Sequence, residues 1–223
     1  MAKVPWFARA ASLRNGERRS VCPPLIAARI CWSNNPGKSF PVRNGEMQHL
    51  FLLCGLPFSG KSTLGRALQE RLGIVHVEVD RHHLDGRTDF DERPVERAEW
   101  IAAYRAAYQL VDDTLDTGKS VVFDAVSYRR SHRERVRRIA ATHGVPVTII
   151  YLDVPEEQAR ARLVANRSSP YRVNVPDIDF DEVARGMQPP EDDERFTRYR
   201  PDEPVTAWID RLVVPMLSPF GVR

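Results

Sequence analysis

The chain has 223 residues, 42% hydrophobic and 28% charged, which excludes an intrinsically disordered polymer and leaves room for one α/β domain with a sizeable core. Its formal net charge of +3 is unevenly spread: residues 1–46 carry eight Lys or Arg against two Glu, so the remaining body is slightly acidic and has no general nucleic-acid signature. No run approaches the ~18 apolar residues of a membrane span, and Cys22, Cys31 and Cys54 have neither CxxC nor metal-ligand spacing, a usage that suits a reducing cytoplasm.

Residues 1–46 show no sustained helical or strand periodicity and are rich in Pro, Asn, Ser, Gly and Arg. Three readings stand: a transit peptide, a flexible basic arm, or a start assigned too early, with Met47 as the true first residue. The last is preferred, so the expected organisation is a disordered basic leader over 1–46 and one domain over 47–223.

Leu50–Cys54 is an unbroken apolar run that reads as a buried strand, with Cys54 as a small core residue. The residues that follow, Gly55-Leu56-Pro57-Phe58-Ser59-Gly60-Lys61-Ser62-Thr63, fit G-x-x-x-x-G-K-[ST], the phosphate-binding loop. Gly55 and Gly60 let the backbone curl with its amides inward, making a nest for phosphate oxygens. A helix from about Ser62 to Leu72, with Leu64, Leu68 and Leu72 on one face, adds free amides and the positive end of its dipole. In this pattern Lys61 reaches the β- and γ-phosphates and the Ser62 hydroxyl ligates Mg²⁺. The expected nucleotide-binding residues are thus Gly55, Pro57, Ser59, Gly60, Lys61, Ser62 and Thr63.

Beyond this point strands and helices alternate, the mark of a parallel sheet covered on both faces. A second strand, Val75–Val79, ends at Asp80, and a charged loop, 85–94, follows. A helix over about 95–115 places Trp100, Tyr104, Tyr108, Val111 and Leu115 on one stripe, read as core rather than a base-stacking platform. A strand at 120–123 ends at Asp124. A helix over about 131–143 turns Val136, Ile139 and Ala140 inward, and Val147–Leu152 forms the next strand. Pro155 opens a helix that reaches about Asn166; a polar stretch at 168–177 leads to another helix near 179–188; Phe196–Arg200 is a fifth strand; and Pro204 opens a last helix, Val205–Leu217.

In open parallel sheets, ligands bind beyond the carboxyl ends of the strands. Asp124 therefore reads as the Mg²⁺ partner with Ser62, and Asp80 as the group that takes the proton of an attacking hydroxyl. His82 and His83 lack further partners for a metal site and read as exposed or substrate-side. Arg160, Arg162, Arg167 and Arg172 straddle the end of one helix and read as a lid whose charge neutralises transferring phosphate, with Arg162 and Arg167 the foremost catalytic candidates. Arg129 and Arg130 are placed to hold an anionic acceptor.

With these residues in place, the chain resembles AAA_33-type ATP-binding proteins, a group that includes the kinase domain of polynucleotide kinase; chloramphenicol phosphotransferase and zeta toxin are more distant. The resemblance rests on the phosphate loop, on Asp80, on Gly118-Lys119-Ser120-Val121-Val122-Phe123-Asp124-Ala125, on Asp153-Val154-Pro155-Glu156-Glu157 with Arg162 and Arg167, and on Gln188-Pro189-Pro190 with Asp193-Glu194. Phe58 stands where relatives often have Gly. The resemblance implies a three-layer α/β/α P-loop NTPase with a five-stranded parallel sheet and a helical lid. The implied activity is a kinase that uses ATP and Mg²⁺ to phosphorylate a hydroxyl of a small molecule or nucleic-acid end, acting as a monomer. The rival reading is a nucleotide-binding ATPase or regulator with no small-molecule acceptor.

Overall fold

The computed structural model describes residues 42–43, 46–80, 97–169 and 175–218. The expectations for nearly all of the leader, for the loop at 85–94, and for His82, His83 and Arg172 lie outside these residues.

Val42–Arg43 (β1) and Glu46–Met47 (β2) pair antiparallel, a two-residue ladder too short to show as periodicity. The main sheet is built from Leu50–Cys54 (β3), Val75–Glu78 (β4), Val121–Asp124 (β5), Val147–Leu152 (β6) and Phe196–Tyr199 (β7). Its order is β4-β5-β3-β6-β7, and every neighbouring pair is parallel. Parallel strands need crossover segments, and these are the helices Lys61–Leu72 (α1), Arg97–Asp116 (α2), Arg130–Thr142 (α3) and Glu156–Ser168 (α4), with Asp177–Arg185 (α5) following α4. Each differs from its expected span by a residue or two at most ends; the largest shift is α5, which begins two residues early and stops three short.

β3 is central, so both its faces are buried and its sequence is an apolar run instead of an alternation. Leu50, Leu52 and Cys54 pack with α2 and α3, through Trp100, Val111, Leu115, Val136 and Ala140. Phe51 and Leu53 face the opposite side, against Leu64 and Leu68 of α1 and Trp208, Ile209 and Val213 near the C-terminus. This is the three-layer α/β/α arrangement, and each fully buried Leu or Phe contributes about 1.5–3 kcal/mol. The aromatic stripe of α2 is core: Tyr108 stacks on Phe123 with ring centroids 5.6 Å apart.

The C-terminal helix (α6) is not regular. It runs as Val205–Trp208, a π turn at Ile209–Val213, and Val214–Leu217. Pro215, which lacks the N–H an α-helix needs, sits just beyond the wide turn. Among the described residues no helix is long and apolar enough to cross a membrane.

Candidate functional site

β3 delivers Gly55 to the carboxyl edge of the sheet, between the ends of β5 and β6. A Cβ at Gly55 would lie 3.0 Å from the Leu152 carbonyl oxygen and 3.0 Å from Ser59 Oγ, so the close approach of the loop to β6 requires glycine. Gly60 takes φ 103° and caps α1, which leaves the first-turn amides of that helix facing the loop. Phe58 also has positive φ, 62°, a conformation that costs a non-glycine residue about 1–2 kcal/mol. The cost is offset by packing: Phe58 is buried with Leu56, Tyr128 and Leu163. The Lys61 ammonium donates to the carbonyls of Gly55 (3.1 Å) and Leu56 (2.7 Å). The buried Ser59 hydroxyl has no hydrogen-bond partner among the described residues, and Ser59 is part of the cavity lining over the loop. A ring of inward donors with an unmatched hydroxyl fits a phosphate chain.

Beneath the loop, the buried Asp124 carboxylate is hydrogen-bonded to His76 Nε2 at 3.2 Å and to the Ser62 side chain. Burial pushes its pKa up, but the His76 and Ser62 hydrogen bonds and the Lys61 charge outweigh this and hold it below the usual carboxylate value. A hydroxyl and an ionised carboxylate, both oxygen donors, fit Mg²⁺. A cavity of about 560 Å³ opens over the loop, lined by Ser59, Gly60, Ser62 and Thr63, with Glu78 and Asp80 from the end of β4 and Arg162, Tyr199 and Pro201 also in its wall. Asp80 is therefore where its position after the strand implies. Val79 and Asp80 are already helical, however, so the strand ends one residue before the expected Val79.

The arginines divide. Arg162 reaches the loop, donating to the carbonyls of Phe58 (3.2 Å) and Ser59 (3.3 Å). Arg167, five residues later on α4, does not line the cavity and is bound to both carboxylate oxygens of Asp177 at 2.7 and 3.2 Å. Arg160 bonds Glu156 and Asp181 and lies over the Phe180 ring, tying α4 to α5. Arg129 lies over Tyr128 and 3.7 Å from Glu182. Arg130 forms a short ion pair with Asp193, and its backbone N–H, an orphan donor at the start of α3, is accepted by Gln188 Oε1. Both arginines expected to hold an acceptor thus already have carboxylate partners.

Three functional or supporting residues escape the sequence reading. His76 and Glu78 alternate along β4, and that period of two is the signal that could have found them. Arg133 is buried, gripping Glu194 through two bonds of 2.6 and 2.9 Å and the carbonyls of Ser127 and Gln188. Its spacing with Val136 and Ala140 places it on the apolar stripe of α3. The Gln188–Glu194 segment therefore anchors α3 beside the loop. Cys54 is a core residue whose thiol is pushed by burial up to about 11.

Residues 50–190 match the AAA_33 family, described as an AAA domain. The chain is 27% identical over 178 residues to "Protein KTI12 homolog" of Arabidopsis thaliana, covering 76% of this chain and 56% of that protein. It is 28% identical over 126 residues to an adenylate kinase of Phocaeicola vulgatus, covering 51% of this chain and 65% of the enzyme. It thus spans less than two thirds of either relative. Among solved structures, Chaetomium thermophilum Kti12 in complex with ADP-AlF3 superposes with a TM-score of 0.60 at 19% identity, over 74% of this chain and 97% of that one. That likeness shows the fold, a three-layer α/β/α P-loop sandwich.

Proposed function

Because the chain belongs to the AAA_33 family, we propose that it binds ATP with Mg²⁺ in the phosphate loop and transfers the γ-phosphate to a hydroxyl of a small molecule or nucleic-acid end. One observation supports this above the others: the cavity over the loop has Asp80 and Arg162 in the same wall as Ser62 and Gly60. A carboxylate beside a phosphate cradle is what a hydroxyl acceptor needs and what simple nucleotide binding does not.

In this reading the loop amides and Lys61 hold the phosphates, and Lys61 exchanges its carbonyl partners for phosphate oxygens. Ser62 and Asp124 would hold Mg²⁺, which supplies charge neutralisation across the phosphates. Asp80 orients the acceptor hydroxyl and takes its proton as the new oxygen–phosphorus bond forms and ADP leaves. Arg162 meets the charge on the transferring oxygens. Arg167, paired with Asp177, supports the arch of α4 and α5.

The test is transfer of labelled γ-phosphate by the full chain to a panel of 5′-hydroxyl oligonucleotides, nucleosides, sugars, aminoglycosides and chloramphenicol. A labelled product that is absent with Lys61→Ala, and reduced by Asp80→Asn while ATP affinity is kept, is the expected result. A second reading, nucleotide hydrolysis without an acceptor, draws on the likeness to Kti12, whose structure holds ADP-AlF3. Release of inorganic phosphate at one rate with every acceptor present would favour it and overturn the kinase.

A further inference from the structure

His76 and Glu78 lie two residues apart on β4, so they project from the same face of the strand. In the β4–β5 register Glu78 stands directly opposite Asp124. Carboxylates at paired positions on neighbouring strands repel each other. Asp124 is buried, and Glu78 of the pair reaches the cavity wall. Into this pair His76 turns Nε2, 3.2 Å from Asp124 Oδ2, with only 2% of its side chain exposed. The ligand atoms of His76, Glu78 and Asp124 all lie within 4.8 Å of one another.

We propose that His76, Glu78 and Asp124 form a divalent transition-metal site that fills without nucleotide. Two donors about 2.1–2.3 Å from one ion and at near-right angles lie about 3.0–3.3 Å apart, which matches the His76–Asp124 separation. A cation between Glu78 and Asp124 turns their repulsion into ligation. Entry of the ion moves the ring proton from Nε2, where Asp124 accepts it, to Nδ1, and the freed Nε2 lone pair becomes the donor. An imidazole in the set distinguishes this site from the all-oxygen pair Ser62 and Asp124, and it favours Mn²⁺, Co²⁺ or Zn²⁺ over Mg²⁺. Glu78 opens on the cavity, which provides a path for the ion and room for water at its remaining positions.

The neighbouring helix is shaped around the imidazole. Gly65 lies inside α1, where glycine is disfavoured relative to alanine. A Cβ there would fall 2.4 Å from His76 Nε2 and 2.7 Å from its Cε1. The glycine therefore keeps clear the nitrogen that faces Asp124.

The site shares Asp124 with the Mg²⁺ pair but needs neither nucleotide nor acceptor to fill, so its test contains neither. Mn²⁺ alone is titrated into the full chain, followed by electron paramagnetic resonance of the bound ion. The expected result is one Mn²⁺ per chain, with nitrogen modulation in the pulsed spectrum from the imidazole and displacement by equimolar Zn²⁺. Glu78→Gln, at a partly exposed position that leaves the fold intact, should weaken Mn²⁺ binding at least tenfold. His76→Gln should do the same and remove the nitrogen modulation. The absence of stoichiometric Mn²⁺, a bound ion without nitrogen coupling, or an affinity unchanged by Glu78→Gln would each overturn the proposal.

Discussion

The phosphate loop lines the cavity, the α4–α5 arch reaches it through Arg162, and the two are held by different forces. The loop is fixed by its backbone: Gly55 against the Leu152 carbonyl, Gly60 at φ 103°, and Lys61 on two carbonyls of its own loop. The arch is fixed by side chains, with Arg160 on Asp181 and Arg167 on Asp177 at solvent-exposed positions. Backbone constraints survive salt and acid, whereas exposed ion pairs are weak and screened. The comparison teaches that the cradle is preformed, and that in the arch, whose Ala159, Leu163, Phe180 and Val183 are locked in a buried cluster, the exposed ion pairs are the part free to change partners when phosphate arrives.

The largest effect should come from what supports the loop. Arg133 and Glu194 are both buried, at 1% and 0% exposure of their side chains, and removing one partner strands a charge in the core. Glu194→Ala should cost about 3–5 kcal/mol of stability in denaturant unfolding, a large part of the roughly 5–15 kcal/mol a domain has. Glu194→Gln, which keeps an acceptor for Arg133, should cost less. Next come the groups that meet phosphate. Lys61→Ala should slow labelled-phosphate transfer about 10²–10³-fold, and Arg162→Ala about 10²-fold, with unfolding midpoints unchanged. Equal losses from every α4 arginine would erase the distinction between loop and arch.

The loop was legible because its requirements are local. Gly55, Gly60 and Lys61 stand at fixed spacing after an apolar run, and no distant residue has to be known. The sheet was legible for the same reason, since Leu50–Cys54 and Val147–Leu152 are continuous apolar stretches. The arginines were not. Arg130 and Arg133 find Asp193 and Glu194 some sixty residues away, and charge alone does not say which carboxylate lies across a fold. A run of basic residues on α3 hides that Arg133 shares the buried face of Val136, which only the helical phase reveals. His76 and Glu78 escape because a period of two shows a shared face but not that Asp124 lies across it, which only the β4–β5 register reveals.

Acid should distinguish the two regions next. His49, just before β3, stacks on Phe51 and bonds Thr148 at 2.9 Å. Burial, helped by the Arg195 charge, lowers its pKa from 6.5 to about 3. The unfolded chain therefore binds a proton near 6.5 that the folded chain refuses. Stability is full above that value and falls by about 1.4 kcal/mol per unit as the pH drops toward 3. His132, lowered by burial to about 4, adds a second proton over most of this window. Unfolding free energies at pH 7.5, 6 and 5 should show the slope, and His49→Gln should flatten it. A slope untouched by that change would mean that His49 is not the group refusing the proton and that His132 carries the slope.

The smallest effect should belong to Arg167. Its carboxylate partner is more than half exposed, and a pair in water is screened and loses side-chain entropy on forming. Arg167→Ala should leave the melting temperature unchanged within error and slow phosphate transfer less than about threefold, in contrast to Arg162 on the same helix. Asp177→Asn sharpens the test because it releases Arg167 without removing it. If the guanidinium is only an arch fastener, that variant behaves like Arg167→Ala, and the two changes together do no more than either alone. If Asp177 instead restrains an arginine that swings onto the phosphates, Asp177→Asn speeds transfer while Arg167→Ala slows it strongly. Transfer rates of the two single variants thus decide whether the arch carries one phosphate-facing arginine or two.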